Sequence, residues 1–486
     1  MAEHLQSKPP MEAVRSVQLR LTIGALVLSP LFFGSVDQLW IAIWTVLLSI
    51  STLLGMAAPV GVRQARILSL FLALCFVYAL VAVIQVTPHL IDRFDDPIWR
   101  RANELLGLNL GSRISSRAEI PPIAIGHFVL FLTSFQSGFF AGTSRYGARK
   151  LVQWTGASIL LYAVYGLVSL TLTPDMLLWA PKLAYQGSLT ATFVNRNTAA
   201  TFLGAGAVLW FCWANISWRS LPWSSLRLLL LAPSNEHLAL RLVLRSAAAV
   251  TCFLALLLTG SRGGLIFTCC GLLVAIGLMF ARKLKPNPWH LAGAGVLAVV
   301  VIGAWLGGIG RIRSQGLFDE ARWSVYGFCI EAIRLRPLLG AGAGTFEGVF
   351  PSLRTEDFSG WGVWDYAHST ILEIAVEMGL PIAAMIVFAA IASLIILAQG
   401  ALRSGGRDQT SLAAIAGIAT LTYLHSMIDF SLQIPGYLIV FGILLGCGLA
   451  RSSTEGATIR KQRSPQHSSE QSNPGTLSNV SDRSAA

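Results

Sequence analysis

Long apolar segments recur along almost the whole chain, from about Leu21 to Ala450. Hydrophobic residues make up 54% of the 486 residues and charged residues only 12%, and the mean hydropathy is +0.62. A soluble protein of this size would carry roughly twice that charged fraction. Because a spanning helix needs about 20 mostly apolar residues, these segments predict a membrane protein and exclude an ordinary soluble domain.

The apolar segments predict an all-α fold, a polytopic bundle of about 12 transmembrane helices. The stretch near residue 28 follows an Arg-bearing segment but lacks a small-residue cleavage site, so we interpret it as a first helix and not as a removed signal peptide. The predicted spans are centred near residues 28, 48, 77, 132, 162, 205, 252, 272, 299, 388, 420 and 442.

Basic residues are concentrated on one side of the predicted membrane. The chain has 36 Lys and Arg against 24 Asp and Glu, a formal net charge of +12. With the N-terminus inside, more than half of the basic residues fall in the leader, the inward loops and the tail, while the opposite side is slightly acidic. This positive-inside pattern predicts that both termini are cytoplasmic. The positive charge is therefore an orientation signal toward a membrane with anionic lipid, and nucleic-acid binding is not expected.

The chain is expected to divide into five segments. The tail has almost no apolar content and cannot offset its ordering entropy, so it should be disordered. Two further outward loops, at about 88–121 and 173–195, are longer than turns, and the first is expected to contain an interfacial helix. The segments are a cytoplasmic leader (1–20), the first nine spans (21–308), a large outward loop (309–367), the last three spans (368–450) and a cytoplasmic tail (451–486).

The large loop has two recognisable parts. From Phe318 to Leu335, apolar residues recur at helical spacing, which predicts an amphipathic helix stopped by Pro337. The stripe consists of Trp323, Tyr326, Ile330 and Ile333, with Arg322 near it. The glycine-rich run 340–344 follows. It is either a turn that folds the loop onto the membrane, which we favour, or a backbone loop that cradles a phosphate. No strand is predicted before it, so a nucleotide-binding fold is not expected.

Polar clusters are found at the outward ends of several spans, where polar groups are costly and are functional candidates. Arg262 lies in a tight turn between two spans, flanked by glycines, and its planar guanidinium suits bidentate phosphate binding, although it could merely snorkel. Arg196 lies beside a helix N-terminus, which is unfavourable unless an anion binds there. Asn195 precedes it as an expected N-cap and Asn197 follows it.

A third cluster begins the tenth span. Thr370 and Glu373 have capping-box spacing, so a helix should begin near Thr370 with His368 just ahead of it at the interface. Histidine suits proton transfer near neutral pH, and the alternative is a satisfied interfacial histidine. Glu373 and Glu377 share a helix face, and they either orient the histidine or pair with an arginine.

A fourth cluster ends the eleventh span. His425 and Asp429 are four residues apart and could pair, and we favour a structural or cavity-lining role for them over chemistry. The sequence has no HExxH motif, no DxD pair and no Cys/His cluster on the outward side, so neither a metal nor a cofactor is expected.

Taken together, five pieces of the chain resemble the bacterial O-antigen ligase and O-antigen polymerase superfamily. No single piece is decisive, but their order and their common membrane face are fairly specific. The segment DFSLQIP favours the exopolysaccharide-polymerase branch slightly. The pieces are TFVNRNTAATFLG (192–204), LTGSRGGLI (258–266), ARWSVYGFCIEAIRLRPLLGAGAGTF (321–346), AHSTILEIAVEMGLP (367–381) and LHSMIDFSLQIP (424–435).

The resemblance implies an inverting, metal-independent glycan transferase of the bacterial inner membrane, with its active face in the periplasm. Its donor would be a polyprenyl-diphosphate-linked oligosaccharide, and its acceptor would be a lipid-linked repeat unit for a polymerase, or a lipid A core sugar or a protein for a ligase. A chain-length regulator stays open as a partner. By motif, Arg196 and Arg262 would bind the donor diphosphate, Arg322 is a further candidate, and His368 would deprotonate the acceptor hydroxyl. Supporting roles are expected for Asn195, Asn197, Glu373, Glu377 and Asp429.

Two other classes of function compete with this one. A transporter or flippase of lipid-linked glycans should place polar groups near the bilayer midplane, often in broken helices within paired repeats, whereas here the clusters are at one interface. A non-catalytic partner of a polysaccharide machine predicts normal polymer output when His368 is replaced.

Overall fold

The computed structural model describes residues 10–221, 236–281, 320–353 and 364–454. The span predicted near residue 299, the first part of the large loop and the tail beyond residue 454 therefore lie outside the described residues.

The described residues form fourteen α-helices and one small hairpin. The hairpin strands β1 (Met176–Leu177) and β2 (Ala180–Pro181) pair antiparallel, with Met176 opposite Pro181. The helices are α1 (Pro10–Leu28), α2 (Gln38–Gly55), α3 (Val62–Val86), α4 (Pro97–Leu106), α5 (Pro122–Gly142), α6 (Arg145–Leu172), α7 (Arg196–Arg219), α8 (Glu236–Leu258), α9 (Arg262–Phe280), α10 (Glu320–Leu335), α11 (Phe346–Val349), α12 (Thr370–Arg403), α13 (Gly406–Ser426) and α14 (Pro435–Ser452).

Within the described part of the chain, nine helices are long and apolar enough to cross a membrane: α2, α3, α5 to α9, α12 and α14. Many of their large apolar side chains are exposed, as lipid-facing side chains are, and α3 is almost entirely unburied. The predicted all-α, polytopic membrane fold is confirmed. The helices predicted in the first outward loop and in the large loop are present as α4 and α10.

Two of the predicted spans differ from the other helices. The span predicted to be centred near residue 28 corresponds to α1, which ends at Leu28. This helix begins at Pro10, inside the predicted leader, and its first half carries Glu12, Arg15 and Arg20. The helix predicted near residue 420 is α13, which is rich in alanine and buried along most of its length by its neighbours. A helix enclosed by other helices needs less apolar surface than one that faces lipid.

The core lies around α14, which is buried along almost its whole length against α5. Small residues allow this close approach: a Cβ on Gly138 would lie 2.6 Å from the Ile443 Cα, and one on Gly142 would lie 2.7 Å from the Cys447 Cα. Close backbone packing of this kind is how helices associate where lipid removes the hydrophobic driving force.

Buried hydroxyls join the first helices to this core. The Ser137 hydroxyl of α5 lies 2.7 Å from the Thr22 hydroxyl of α1 and 2.7 Å from the Ser51 hydroxyl of α2. Gln18 donates from its amide to the Ser137 carbonyl at 3.0 Å. Such interhelical hydrogen bonds satisfy polar groups that could find no water in the bilayer interior.

Candidate active site

The polar clusters predicted from the sequence meet at one end of the bundle, where α7, α9, α12 and α14 begin and α8 and α13 end. We call it the site end. Leu189 donates from its backbone to the Leu258 carbonyl at 2.9 Å, which ties the connection before α7 to the end of α8. The Thr370 hydroxyl at the start of α12 donates to the Asp429 carbonyl at 3.3 Å, which ties α12 to the segment after α13.

The N-terminus of α7 is built as its sequence predicts. Asn195 caps the helix, accepting a hydrogen bond from the Asn197 backbone at 2.7 Å. Arg196, the first helical residue, has its guanidinium carbon 5.2 Å from the centre of the Tyr185 ring. Asn197 turns inward, and its side-chain amide donates to the Asp429 carboxyl at 2.7 Å. The two asparagines therefore hold Arg196 at the mouth of the site.

Asp429 is a fully buried acid in the connection between α13 and α14. Its carboxyl group also accepts from the Ser431 hydroxyl at 3.2 Å. Burial raises the pKa of Asp429 above its ordinary value, and the positive charge of Arg322 together with the hydrogen bonds from Asn197 and Ser431 opposes that rise. Asp429 is thus a buried acceptor that organises the arginine-bearing elements around it.

The turn before α9 places the second predicted arginine at the same end. Ser261 caps α9, accepting from the Gly264 backbone at 3.2 Å, and Arg262 is an exposed first helical residue. A Cβ on Gly263 would lie 3.0 Å from Ile428 and 3.1 Å from the His425 ring, so the glycine permits close packing here. Arg262 therefore stands next to the segment that precedes Asp429.

Helix α10 brings the third arginine to this segment. Arg322 donates to the Ile428 carbonyl at 3.3 Å, and its charge acts on both Asp429 and His368. Tyr326, one turn later, donates from its hydroxyl to the His368 carbonyl at 2.9 Å. Arg322 and Arg196 both act on Tyr185, since their charges oppose the rise that burial causes in the pKa of its hydroxyl.

The packed face of α10 differs from the predicted stripe. Val325, Cys329 and Ala332 are buried, whereas Trp323 is 57% exposed and Ile330 is 45% exposed. The helix has two apolar stripes, and spacing alone cannot tell which of them faces the protein. The partners of the packed stripe are aromatic residues of the large loop, including Phe346 and Phe350, and the aliphatic Leu372 and Val376 of α12, all outside α10.

His368 is held in an unusual conformation immediately before α12. Its backbone φ is 53°, in the left-handed region, which costs a non-glycine residue about 1–3 kcal/mol. Its ring makes edge contacts with Trp364 (5.2 Å between centroids) and Phe430 (4.9 Å), and its Nδ1 atom is buried without a hydrogen-bond partner among the described residues. Strain of this size persists only where the surroundings fix it, as they often do at functional sites.

The environment of His368 also sets its charge. Burial and then the positive charge of Arg322 lower the pKa of His368 below its ordinary value. The imidazole is therefore neutral near pH 7, which is the form that accepts a proton.

The start of α12 differs from the predicted capping box. The cap is Ser369, whose hydroxyl accepts from the Leu372 backbone at 3.4 Å, and not Thr370. Glu373 instead reaches across: its carboxyl oxygens accept from the Ala367 backbone at 2.8 Å and from the Gln433 amide at 2.7 Å. Spacing alone favoured the local cap, but the Thr370 hydroxyl is engaged with a residue after α13.

Hydrogen bonds join Glu377 to the glycine-rich turn and to Phe346 just after it. Helix α12 breaks at Gly379 (φ 84°), and its freed carbonyls on Val376 and Glu377 accept hydrogen bonds from Ala341 and Gly342, each at 2.9 Å. The Glu377 carboxyl group accepts from the Phe346 backbone at 3.0 Å. Two backbone amides of the turn, those of Ala341 and Gly342, therefore bind α12 and are not free to cradle a phosphate.

The last predicted contact is the possible pair of His425 and Asp429. His425 does not pair with Asp429, because its ring nitrogen Nδ1 faces the Thr201 hydroxyl of α7 while Asp429 faces Asn197. His425 is 1% exposed and lies within α13, and the structural or cavity-lining role favoured from the sequence stays a prediction.

One group of potential metal ligands occurs among the described residues. His89, Asp92 and Asp95, in the connection between α3 and α4, have ligand atoms within 4.8 Å of one another. His89 and Asp92 are exposed, and exposed acidic groups are common without a metal.

Several site residues were not identified from the sequence. Tyr185, Tyr326, Trp364, Phe430 and Gln433 contact or orient the predicted residues, as described above. Aromatic residues at span ends also serve as interfacial anchors, so their type and position do not single them out. The sequence signal that could have found Tyr326 is its position one helical turn after Arg322.

Comparison with known protein families agrees with the resemblance found in the sequence. A family model described as O-antigen ligase matches residues 247–387, and the curated proteins contain no match to the chain. The matched range includes Arg262, Arg322 and His368, whereas Arg196 precedes it and Asp429 follows it. This match confirms the resemblance seen in the sequence: over residues 247–387, this all-α membrane protein is similar to the O-antigen ligase and polymerase superfamily.

Proposed function

We propose that this protein is a membrane glycan transferase that uses a polyprenyl-diphosphate-linked donor, with a preference for polymerisation. The family match supports a membrane enzyme of the O-antigen ligase or polymerase type. The observation that carries the proposal is the grouping at the site end. Arg322 donates to the Ile428 carbonyl, next to buried Asp429, and Tyr326, one turn after Arg322, donates to the carbonyl of the conformationally strained His368.

The arginines would bind the donor diphosphate. Guanidinium groups bind phosphate oxygens bidentately, and Arg196 and Arg262 stand at helix N-termini, where the helix dipole also favours an anion. In the proposed reaction, negative charge develops on the diphosphate as it leaves the sugar. Fixed positive groups that meet this charge stabilise the transition state more than the ground state.

His368 would act as the general base. It takes the proton of an acceptor hydroxyl, the hydroxyl oxygen forms a bond to the anomeric carbon, and the bond from that carbon to the diphosphate breaks, leaving polyprenyl diphosphate with the electron pair. A single displacement of this kind inverts the anomeric configuration and requires no metal. General-base catalysis typically contributes about 10²–10⁴-fold to a rate.

Donor binding would also prepare the base. In the free protein, the positive charge of Arg322 helps to lower the pKa of His368. A bound diphosphate would neutralise part of that charge, so the pKa of His368 would rise toward the range in which a base works best. The base would then be strongest only when a donor is present.

The proposed setting is the bacterial inner membrane, with the site end facing the periplasm and both termini in the cytoplasm. The positive-inside distribution supports this orientation. The acceptor is proposed to be another lipid-linked repeat unit, on the evidence of the segment 429–435, and a chain-length regulator would be a partner of that activity. A sugar of the lipid A core is the acceptor in the ligase alternative.

The test uses purified full-length protein in detergent with a polyprenyl-diphosphate oligosaccharide of defined length. A polymerase should produce a ladder of longer glycans on a gel, whereas a ligase should produce none until a lipid A core acceptor is added. The double variant Arg196→Gln/Arg322→Gln should bind the donor at least tenfold more weakly, while Arg100→Gln/Arg101→Gln, an exposed pair in α4, should not change donor binding. Absence of transfer with both acceptors would favour a transporter or a scaffold.

A further inference from the structure

A basic cavity lies at the opposite end of the bundle from the site. It has a volume of about 450 Å³ and is lined by the first turns of α6, α8 and α13 and by the last turns of α7 and α14. Helices α7 and α14 begin at the site end and end at the cavity, whereas α8 and α13 begin at the cavity and end at the site end. The volume falls within the range of about 300–1,000 Å³ that is typical of small-molecule sites.

The cavity has a large excess of positive charge. In the described part of the chain, one acid, Asp408, lines the cavity, and it pairs with Arg145 at 3.5 Å and with Arg451 at 3.1 Å. Arg245 donates to the Trp213 carbonyl and to the Ser217 hydroxyl. Among the residues that the structure describes, six arginines line the cavity: Arg145, Arg149, Arg241, Arg245, Arg407 and Arg451.

Three of these arginines have no anionic partner among the described residues. Arg149, Arg241 and Arg407 are exposed on the cavity rim, and Arg241 and Arg407 lie close enough to Arg245 to repel its charge. Like charges gathered around a concave surface raise its potential and attract a counter-ion. The positive-inside rule accounts for arginines on this side of the membrane, but not for their convergence on one cavity.

Part of the cavity lining is apolar. It consists of Trp210, Trp213 and Ile216 of α7 and of Leu412 and Ile415 of α13. A ligand with a phosphate group and an attached hydrocarbon would match both parts, since guanidinium binds phosphate oxygens and tryptophan is favoured at the membrane interface. A free phosphate or diphosphate would match the rim alone.

We propose that this cavity binds the phosphate group of an anionic ligand, at a second site separate from the candidate active site. An acidic phospholipid and a soluble phosphate share this chemistry, and the test distinguishes them. The proposal does not depend on the glycan-transferase function.

The test compares full-length wild type with two charge-matched double variants. Arg241→Gln/Arg407→Gln removes two rim charges of the cavity. Arg63→Gln/Arg66→Gln removes two exposed charges at the same end of the bundle but outside the cavity, where Gln64 donates to the Ala450 carbonyl at 3.0 Å. Thermal unfolding in detergent is measured with added phosphatidylglycerol, with phosphatidylcholine and with inorganic pyrophosphate at constant ionic strength.

Saturable stabilisation of the wild type by phosphatidylglycerol, but not by phosphatidylcholine, would identify a lipid site. Stabilisation by pyrophosphate that displaces phosphatidylglycerol would identify a site for soluble phosphates. In either case, the cavity variant should bind on the order of thirty-fold more weakly and the control pair should bind like the wild type. If the cavity variant unfolds before the titration begins, Arg407→Gln alone should weaken binding about fivefold. The proposal is overturned if neither probe saturates, or if both pairs respond alike.

Discussion

Removing the carboxyl group of Glu373 should destabilise the segment that positions His368. Glu373 is 6% exposed and accepts hydrogen bonds from the Ala367 backbone and the Gln433 amide. In Glu373→Ala, both donors lose their acceptor in a buried site, and each unsatisfied donor costs about 1–3 kcal/mol. The apparent free energy of unfolding in detergent should therefore fall by about 2–6 kcal/mol.

A swap of the two side chains provides a matched control. In Glu373→Gln/Gln433→Glu, the new amide oxygen at position 373 can still accept from Ala367, while its NH₂ group donates to the new carboxyl at position 433. The swap should recover most of the lost stability. It should also recover transfer activity, which Glu373→Ala should reduce by about 10²-fold, because a misplacement of about 1 Å near the reacting groups has that effect.

The measurement is chemical unfolding of the purified protein in detergent, with transfer activity assayed on the same preparations. The reasoning would be refuted if Glu373→Ala lost less than about 1 kcal/mol, since unpaired buried donors should cost more. It would also be refuted if the swap were no more stable than the alanine variant.

Three further predictions concern packing, charge and conformation. Gly138→Ala should lower the free energy of unfolding by about 1–3 kcal/mol or more, because its Cβ would contact the α14 backbone. Gly277→Ala should be neutral or stabilising by up to about 1 kcal/mol in the same unfolding assay, because among the described residues nothing outside its own turn of helix lies within 4 Å of the added Cβ. Because the pKa of His368 is lowered, kcat/KM should stay constant as the pH falls to about 6 and should fall only when the ring is protonated. Arg322→Gln removes a charge that lowers this pKa, so it should move the fall in kcat/KM to higher pH. A fall near pH 7 in the wild type would contradict the assignment. Tyr326→Phe should lower kcat about tenfold or more, because the lost hydrogen bond holds His368 in its strained conformation. The free energy of unfolding should change by only about 1 kcal/mol. Unchanged kcat would show that this bond is dispensable.

Much of the fold could be predicted from the sequence because a span is a local signal. Hydropathy identified the nine helices that meet the length and apolarity expected of a span, and cap residues identified the starts of α7 and α12 to within a residue. The grouping of Arg196, Arg322 and His368 followed from their predicted position on one membrane face, Arg196 and His368 at span ends and Arg322 in the large outward loop. The orientation of the spans fixes which ends meet, even when the helix packing is unknown.

The details of the site could not be predicted, because they depend on contacts between distant segments. Glu373 binds Gln433 rather than completing a local cap, and the turn at Gly342 binds the broken part of α12. The amphipathic helix α10 is present, but its most buried stripe is Val325, Cys329 and Ala332, because a helix with two apolar stripes is oriented by its partners. Local spacing carries no information about such partners.

The role of His368 is tested most directly by transfer kinetics with donor binding measured separately. Wild type and His368→Ala are compared in detergent with the same polyprenyl-diphosphate oligosaccharide and acceptor, with the rate of glycan transfer and the donor Kd measured for each. The account predicts that the variant keeps the donor Kd within about threefold and loses about 10²–10⁴-fold in rate. A variant that transfers glycan at the wild-type rate would contradict the account and would show that the base is not His368.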